Sequence, residues 1–256
     1  MIEILKALIL GIVQGLTEFL PVSSSGHLIF LQKMGVGEPS MFFDLMLHMG
    51  TLIAACITLF KPIINTLKSF EEILKVLISS IPTFIIALLF KLFFNEALEG
   101  AILGVGFLVT AVVLVLTETL KKGSIDKEID RKRALLVGIM QGIAVLPGVS
   151  RSGMTIGFLR GTGVEGSKAA EYSFIIGMPV ILGGILIEML PVLTGEAQFE
   201  IISNNWSAAA VFVGIIAAFI SGLFAIRVML KVFAKKSLIP FAVYVTILAV
   251  ISFIAF

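Results

Sequence analysis

The sequence predicts an all-α integral membrane protein, with six transmembrane helices and two re-entrant helix-loop-helix hairpins arranged as inverted-topology repeats. Three observations carry that expectation. The chain is 58% hydrophobic and 14% charged, with a mean hydropathy of +1.11, which leaves too little polar surface to face water. Its apolar runs are long enough to cross a bilayer, at roughly 20 residues per span. It also nearly repeats itself: Ala7–Gly26 and Ala134–Gly153, 127 residues apart, agree without gaps at ten of twenty positions. The matches include Gln14/Gln141, Gly15/Gly142, Ser23/Ser150, Ser25/Ser152 and Gly26/Gly153. A lipid-facing composition produces shared leucines by chance, but not shared glutamines and serines.

Each repeated segment holds an apolar stretch, a Pro/Gly/Ser-rich break and a short apolar piece, none comfortably long enough to cross alone. Proline and glycine at membrane depth leave backbone amides unpaired, which hydrocarbon tolerates only where the segment is buried in protein or lines a wet cavity. The segments are therefore read as hairpins with loops at Pro21–Gly26 and Pro147–Gly153. The internal copy also argues that residues 1–26 are structure rather than a cleaved signal peptide. Continuous spans are expected near Met41–Phe60, Ile73–Phe94, Ala101–Leu120, Glu171–Leu190, Ala208–Phe233 and Leu238–Phe256. The 256 residues thus form a single membrane domain, with repeat one at about 1–122 and repeat two at about 129–256.

A hairpin returns to its starting side and three spans do not, so the second repeat is inverted, and inverted repeats place a shared site near the midplane. Loop charges agree. Lys121, Lys122, Lys127, Arg131, Lys132 and Arg133 crowd one loop, Lys231, Lys235 and Lys236 another, and Lys61 and Lys68 mark a third. The intervening loops 95–100 and 191–206 carry neither lysine nor arginine. A positive excess on cytoplasmic loops puts both termini outside, with Lys33 and Lys91 as exceptions. The net charge of +2 and the absence of a basic patch exclude nucleic acid as a partner. Cys56, the only cysteine, excludes an intramolecular disulfide and reads as inert packing.

Ionisable groups inside membrane segments are functional candidates by default. Glu18 follows Gln14 by one helical turn at the first tip, His27 follows the serine run, and Arg151 stands between Ser150 and Ser152 at the second tip. Arginine's fork of donors, serine hydroxyls and the free amides at two helix starts suit a phosphate. An acid beside an anion is costly unless it does chemistry there. Glu18 could take a proton from a nucleophile or hold a divalent cation, and His27 could act as acid, base or nucleophile. Plainer readings compete. The small residues could serve only close helix packing, Glu18 and Arg151 could form a structural ion pair, and Gln14/Gln141 could hold loops. His48 and Asp44 line either an entrance or merely the interface, while Glu171, Glu188, Arg160 and Arg227 read as snorkelling end residues.

The stretch Gln14-Gly15-Leu16-Thr17-Glu18-Phe19-Leu20-Pro21-Val22-Ser23-Ser24-Ser25-Gly26-His27 resembles the first signature of the bacitracin-resistance type undecaprenyl-diphosphate phosphatases. Leu146-Pro147-Gly148-Val149-Ser150-Arg151-Ser152-Gly153-Met154-Thr155 is similar to the second, and the likeness continues through Phe43-Asp44, His48–Thr51 and Glu171–Pro179. The resemblance implies hydrolysis of undecaprenyl diphosphate to undecaprenyl phosphate and inorganic phosphate. That reaction recycles a lipid carrier of peptidoglycan synthesis at the plasma membrane and confers bacitracin resistance. The implied cofactor is a divalent cation, Mg²⁺ or Ca²⁺, with Glu18 as its candidate ligand, and the implied site opens to the outer face. Glu18, Ser24, His27 and Arg151 inherit the catalytic assignment, with Gln14, Ser23, Ser25, Gly148, Ser150, Ser152 and Thr155 on the substrate-binding side. The family's acidic motif has Glu or Gln first; here Gln14 leaves Glu18 as its one carboxylate. The implied partners are a prenyl diphosphate and membrane lipids, and the sequence is equally compatible with a monomer and a homodimer. Inverted repeats also suit a lipid-phosphate carrier or flippase, the competing expectation.

Overall fold

The computed structural model describes residues 1–93, 99–120, 127–195 and 206–256. Every regular element among them is helical: α1 Ile2–Glu18, α2 Ser24–Lys33, α3 Met41–Thr58, α4 Phe60–Lys68, α5 Phe70–Phe93, α6 Glu99–Leu120, α7 Arg131–Ile143, α8 Arg151–Gly161, α9 Gly166–Leu193, α10 Ala208–Lys235 and α11 Ile239–Ala255. Five helices (α3, α5, α6, α9 and α10) are long and apolar enough to cross a membrane, and α11, at 17 residues, is a shorter apolar helix. The expected spans therefore appear as helices, with ends within a few residues of the sequence reading. The basic loop at Lys121 and Lys122, the cation-free loop positions 95–98 and 196–205, and Phe94 lie outside the described residues.

Both repeated segments fold as helix, break, helix. Pro21 disfavours helical geometry at the residue before it, so α1 ends at Glu18, and α2 begins at Ser24 with the Ser23 hydroxyl accepting the Gly26 amide at 3.2 Å. In the second segment α7 ends at Ile143 and α8 begins at Arg151, capped the same way by Ser150 on the Gly153 amide at 3.0 Å. The two tips reach the shared cap differently. Gly148 takes the positive φ of the second break at +83°, whereas Ser23, at φ +68°, is the only non-glycine with positive φ among the described residues. Left-handed backbone costs a non-glycine residue about 1 kcal/mol, and such strain persists where the surroundings over-determine it.

α1 and α3 both run along α10, α7 runs along α5, α6 pairs with α11, and α3 also meets α9. Glycines allow the closest approaches: a Cβ on Gly15 would come 2.7 Å from the Gly222 amide, and one on Gly138 would come 2.8 Å from Ser79 backbone. The sequence reading did not anticipate α4, a short amphipathic helix carrying Lys61 and Lys68 between the first two spans. Arg160 also departs from it: instead of snorkelling, its side chain is 3% exposed and pairs with Glu118 at 3.1 Å. Cys56 is exposed on α3 rather than packed inside.

Candidate active site

The two tips meet. Ser152 at the start of α8 donates to the Leu20 carbonyl of the first tip at 2.7 Å, and the Arg151 guanidinium donates through Nη2 to Glu18 Oε1. Glu18, the last residue of α1, has a side chain 3% exposed. Its other oxygen, Oε2, accepts from Ser24 Oγ at 2.6 Å and Gln14 Nε2 at 2.8 Å, and faces His48 Nε2 at 3.3 Å. One turn of α1 brings Gln14 under Glu18, the strained turn at Ser23 aims Ser24 back at it, and α3 supplies His48 from the side.

These groups border a cavity of about 360 Å³ whose wall includes Glu18, Ser23, Ser24, Ser25, His48, Gln141, Ser150, Arg151 and Ser152. Both α2 and α8 begin on that wall, and the first amides of a helix lack partners within it, so two positive helix ends abut one space. A buried Arg151 Nη1 has no hydrogen-bond partner in the protein. The cavity thus offers a hydroxyl held on a carboxylate, a guanidinium at its wall and several further hydroxyls, a donor-rich set for phosphoryl oxygens.

The family description "Bacitracin resistance protein BacA" matches residues 7–251. The chain belongs to this family. Its relatives include the undecaprenyl-diphosphatase of Carboxydothermus hydrogenoformans, 39% identical over 252 residues that cover 96% of this chain and 94% of that protein. The undecaprenyl-diphosphatase of Methanosphaera stadtmanae is 36% identical over 99% of this chain and 98% of its own length. That of Bacteroides fragilis is 37% identical over 98% of each. This BacA-family protein is thus similar to these enzymes from end to end.

Of the expected site residues, the BacA fold brings Glu18, Ser24, Arg151, Ser23, Ser25, Ser150 and Ser152 onto one wall. Gln14 is fully buried behind it and acts through Glu18. Thr155 lies inside α8's packing, donating to the Arg151 carbonyl at 2.8 Å and contacting the Ser173 hydroxyl at 2.5 Å. Gly148 packs against Gly106 and Leu103 of α6. His27 does not line the cavity. Its ring joins the Ser23 carbonyl at 2.6 Å and the Tyr244 hydroxyl at 2.8 Å, and stacks on Tyr244.

Three residues outside the two signatures serve the site. His48 stands against Glu18, with Nδ1 on the Asp44 carbonyl at 2.8 Å. Thr110 accepts the Ser150 amide at 2.8 Å and so holds the second tip. Gly177 leaves room for the guanidinium: a Cβ there would lie 2.7 Å from Arg151 Cζ. His48 was legible in the sequence as an ionisable group at the outer start of a span, and Gly177 only as part of the Glu171–Pro179 likeness.

A divalent cation finds a restricted fit. No cluster of three or more His, Cys, Asp or Glu side chains exists among the described residues, and Glu18 is the one carboxylate on the cavity wall. Both its oxygens are already engaged by protein donors. The donor set suits a Mg²⁺-type ion that keeps substrate phosphate oxygens and water as its main ligands, with a single carboxylate from the protein.

Proposed function

We propose that this protein hydrolyses a polyprenyl diphosphate, undecaprenyl diphosphate being the favoured substrate, to the polyprenyl phosphate and inorganic phosphate. The observation that carries the reading is the contact of Ser24 Oγ with Glu18 Oε2 at 2.6 Å beside the Arg151 guanidinium, inside a cavity lined with hydroxyls. Glu18 takes the Ser24 proton as Oγ bonds to the terminal phosphorus. The bond from that phosphorus to the bridging oxygen breaks, polyprenyl phosphate departs, and water delivered under Glu18 then splits the phosphoserine to release phosphate. Arg151 turns the cavity side of its fork to the phosphoryl oxygens, whose charge the helix amides share. His48 keeps Nδ1–H on the Asp44 carbonyl, so its Nε2 meets Glu18 and holds the proton that passes between them. Where bound with the diphosphate, Mg²⁺ or Ca²⁺ would neutralise phosphoryl charge, with Glu18 as its protein ligand.

The membrane arrangement is part of the same proposal. The five spanning helices and α11 make six crossings, α1–α2 and α7–α8 are re-entrant hairpins, and the halves at about 1–122 and 129–256 are inverted repeats. Support comes from the paired contacts of α1 with α10 and α7 with α5. The matched caps of Ser23 and Ser150 add to it. The charge pattern supports termini and a cavity mouth on the outer face. All groups of the site come from one chain, so a second copy is not needed to complete it.

The deciding experiment is phosphate release from C55 diphosphate by detergent-purified protein, with and without EDTA. Glu18→Gln, Ser24→Ala and Arg151→Ala should each lower kcat by at least a hundredfold, and Arg151→Lys should remain strongly impaired, because lysine cannot give the bidentate fork. EDTA should suppress release and Mg²⁺ restore it. Near-normal turnover by Ser24→Ala would remove the serine nucleophile. Substrate binding without release under any metal condition would favour the carrier reading, which the diphosphatase names of the relatives disfavour.

A further inference from the structure

The cavity that holds Glu18 and Arg151 has a second, apolar end, formed by Met41, Leu45, Val145, Val180 and Ile181 with Gly184. Two helix faces run from one end towards the other. On α3, Met41, Leu45 and His48 lie at i, i+4 and i+7 along the cavity, while the one charged side chain further out, Asp44, is engaged by Gln32 Nε2 of α2 at 2.9 Å. On α9, Val180, Ile181 and Gly184 share a face by the same spacing. At the rim, Met41 is 63% exposed and Val145 41% exposed, so none of the described residues covers this end.

Gly184 is the informative residue. Its neighbour Gly183 has a packing reason to lack a side chain, because a Cβ there would lie 2.8 Å from the Phe84 ring. Gly184 has none: a Cβ would meet only Leu45 Cδ2, at an ordinary 3.4 Å. Glycine in a helix interior is less favourable than alanine. An unpacked glycine on a cavity wall therefore keeps space open for something other than the protein. The space is apolar, begins beside a phosphate-suited cluster and opens at an apolar rim.

We infer that this end of the cavity receives the first isoprene units of a polyprenyl diphosphate, and that Gly184 sets the room available to them. The inference rests on the diphosphatase reading for the chemical class of the ligand, but its test measures binding and needs no turnover. The probes are a farnesyl methylene-diphosphonate, which carries both the head group and isoprene units, and methylene-diphosphonate, which carries the head group alone. In detergent, Gly184→Leu should weaken binding of the farnesyl compound at least tenfold and leave that of the bare diphosphonate within twofold. Leu45→Trp, which fills the same space from α3, should reproduce the selective loss if Gly184→Leu does not purify as a folded species. Gly184→Ala should weaken the farnesyl compound less than Gly184→Leu does and bind the bare diphosphonate as the parent does. Unchanged affinity of Gly184→Leu and Leu45→Trp for the farnesyl compound overturns the inference, and so does an equal loss for both probes, which would mean a distorted cavity. A protein that binds selectively in this way yet releases no phosphate would overturn the hydrolytic reading alone.

Discussion

Two histidines separate what a motif indicates from what a side chain touches. His27 belongs to the first signature, yet its two ring nitrogens are committed to the Ser23 carbonyl and the Tyr244 hydroxyl. His48, outside either signature, faces the carboxylate on which the Ser24 hydroxyl also rests. Loss of His48 should therefore act on the chemical step: His48→Ala should lower kcat by about a hundredfold, the low end of what one acid–base group usually contributes, with KM little changed. His27→Ala should instead act through the α2 start it braces, lowering thermal stability along with activity, and steady-state kinetics with parallel melting curves tells the two apart. Equal kcat losses with equal melting shifts would contradict this division. Gly177 offers a second residue-level check. A methyl there occupies the place of the guanidinium, so Gly177→Ala should lower kcat/KM at least tenfold while the protein still purifies monodisperse, because Arg151 is displaced and the helix itself is not.

The breaks between helices define the site. Each tip is a helix start whose cap serine binds the amide three residues on, and whose next three residues include the working ones, Ser24 in one and Arg151 in the other. Replacing a cap serine by alanine typically costs about 1 kcal/mol. Ser150→Ala should show that loss, since it removes the cap together with one long contact to the Ser152 hydroxyl at 3.3 Å. Ser23→Gly should cost less stability than Ser23→Ala, because glycine relaxes the positive φ that serine strains. Thermal unfolding in detergent reads both comparisons, and equal losses for glycine and alanine at position 23 would argue against backbone strain there. The sequence made the breaks visible through Pro21, Pro147 and the shared serines. It did not reveal that only the first break asks a non-glycine residue to adopt a left-handed backbone.

Across the whole molecule, the far end of α8 is fixed by the buried pair Arg160–Glu118, where Glu118 also accepts the Leu238 amide at 3.1 Å and Arg160 donates to the Lys236 carbonyl at 3.2 Å. One pair thus ties α6, α8 and the turn between α10 and α11. Removing Glu118 leaves a buried guanidinium uncompensated, and Glu118→Ala should destabilise by about 3 kcal/mol. Glu71→Ala, which breaks the exposed pair with Arg131, should leave the melting temperature almost unchanged. The membrane class, the helix positions and the duplicated segments were legible in the sequence, because each is written in local composition or in residues that recur at a fixed offset. Glu18, Ser24 and Arg151 were visible there only as polar residues that break the repeat at its two tips. Only the tertiary structure decided which groups meet. Glu18 and Arg151 are 133 residues apart, and His48 and Gly184 come to the same cavity, with Gly177 behind the guanidinium, from helices that no local pattern relates. Such contacts depend on how α3 and α9 cross between the two tips, and that crossing is fixed by packing across the bundle, where sequence periodicity gives each helix its face but not its neighbour.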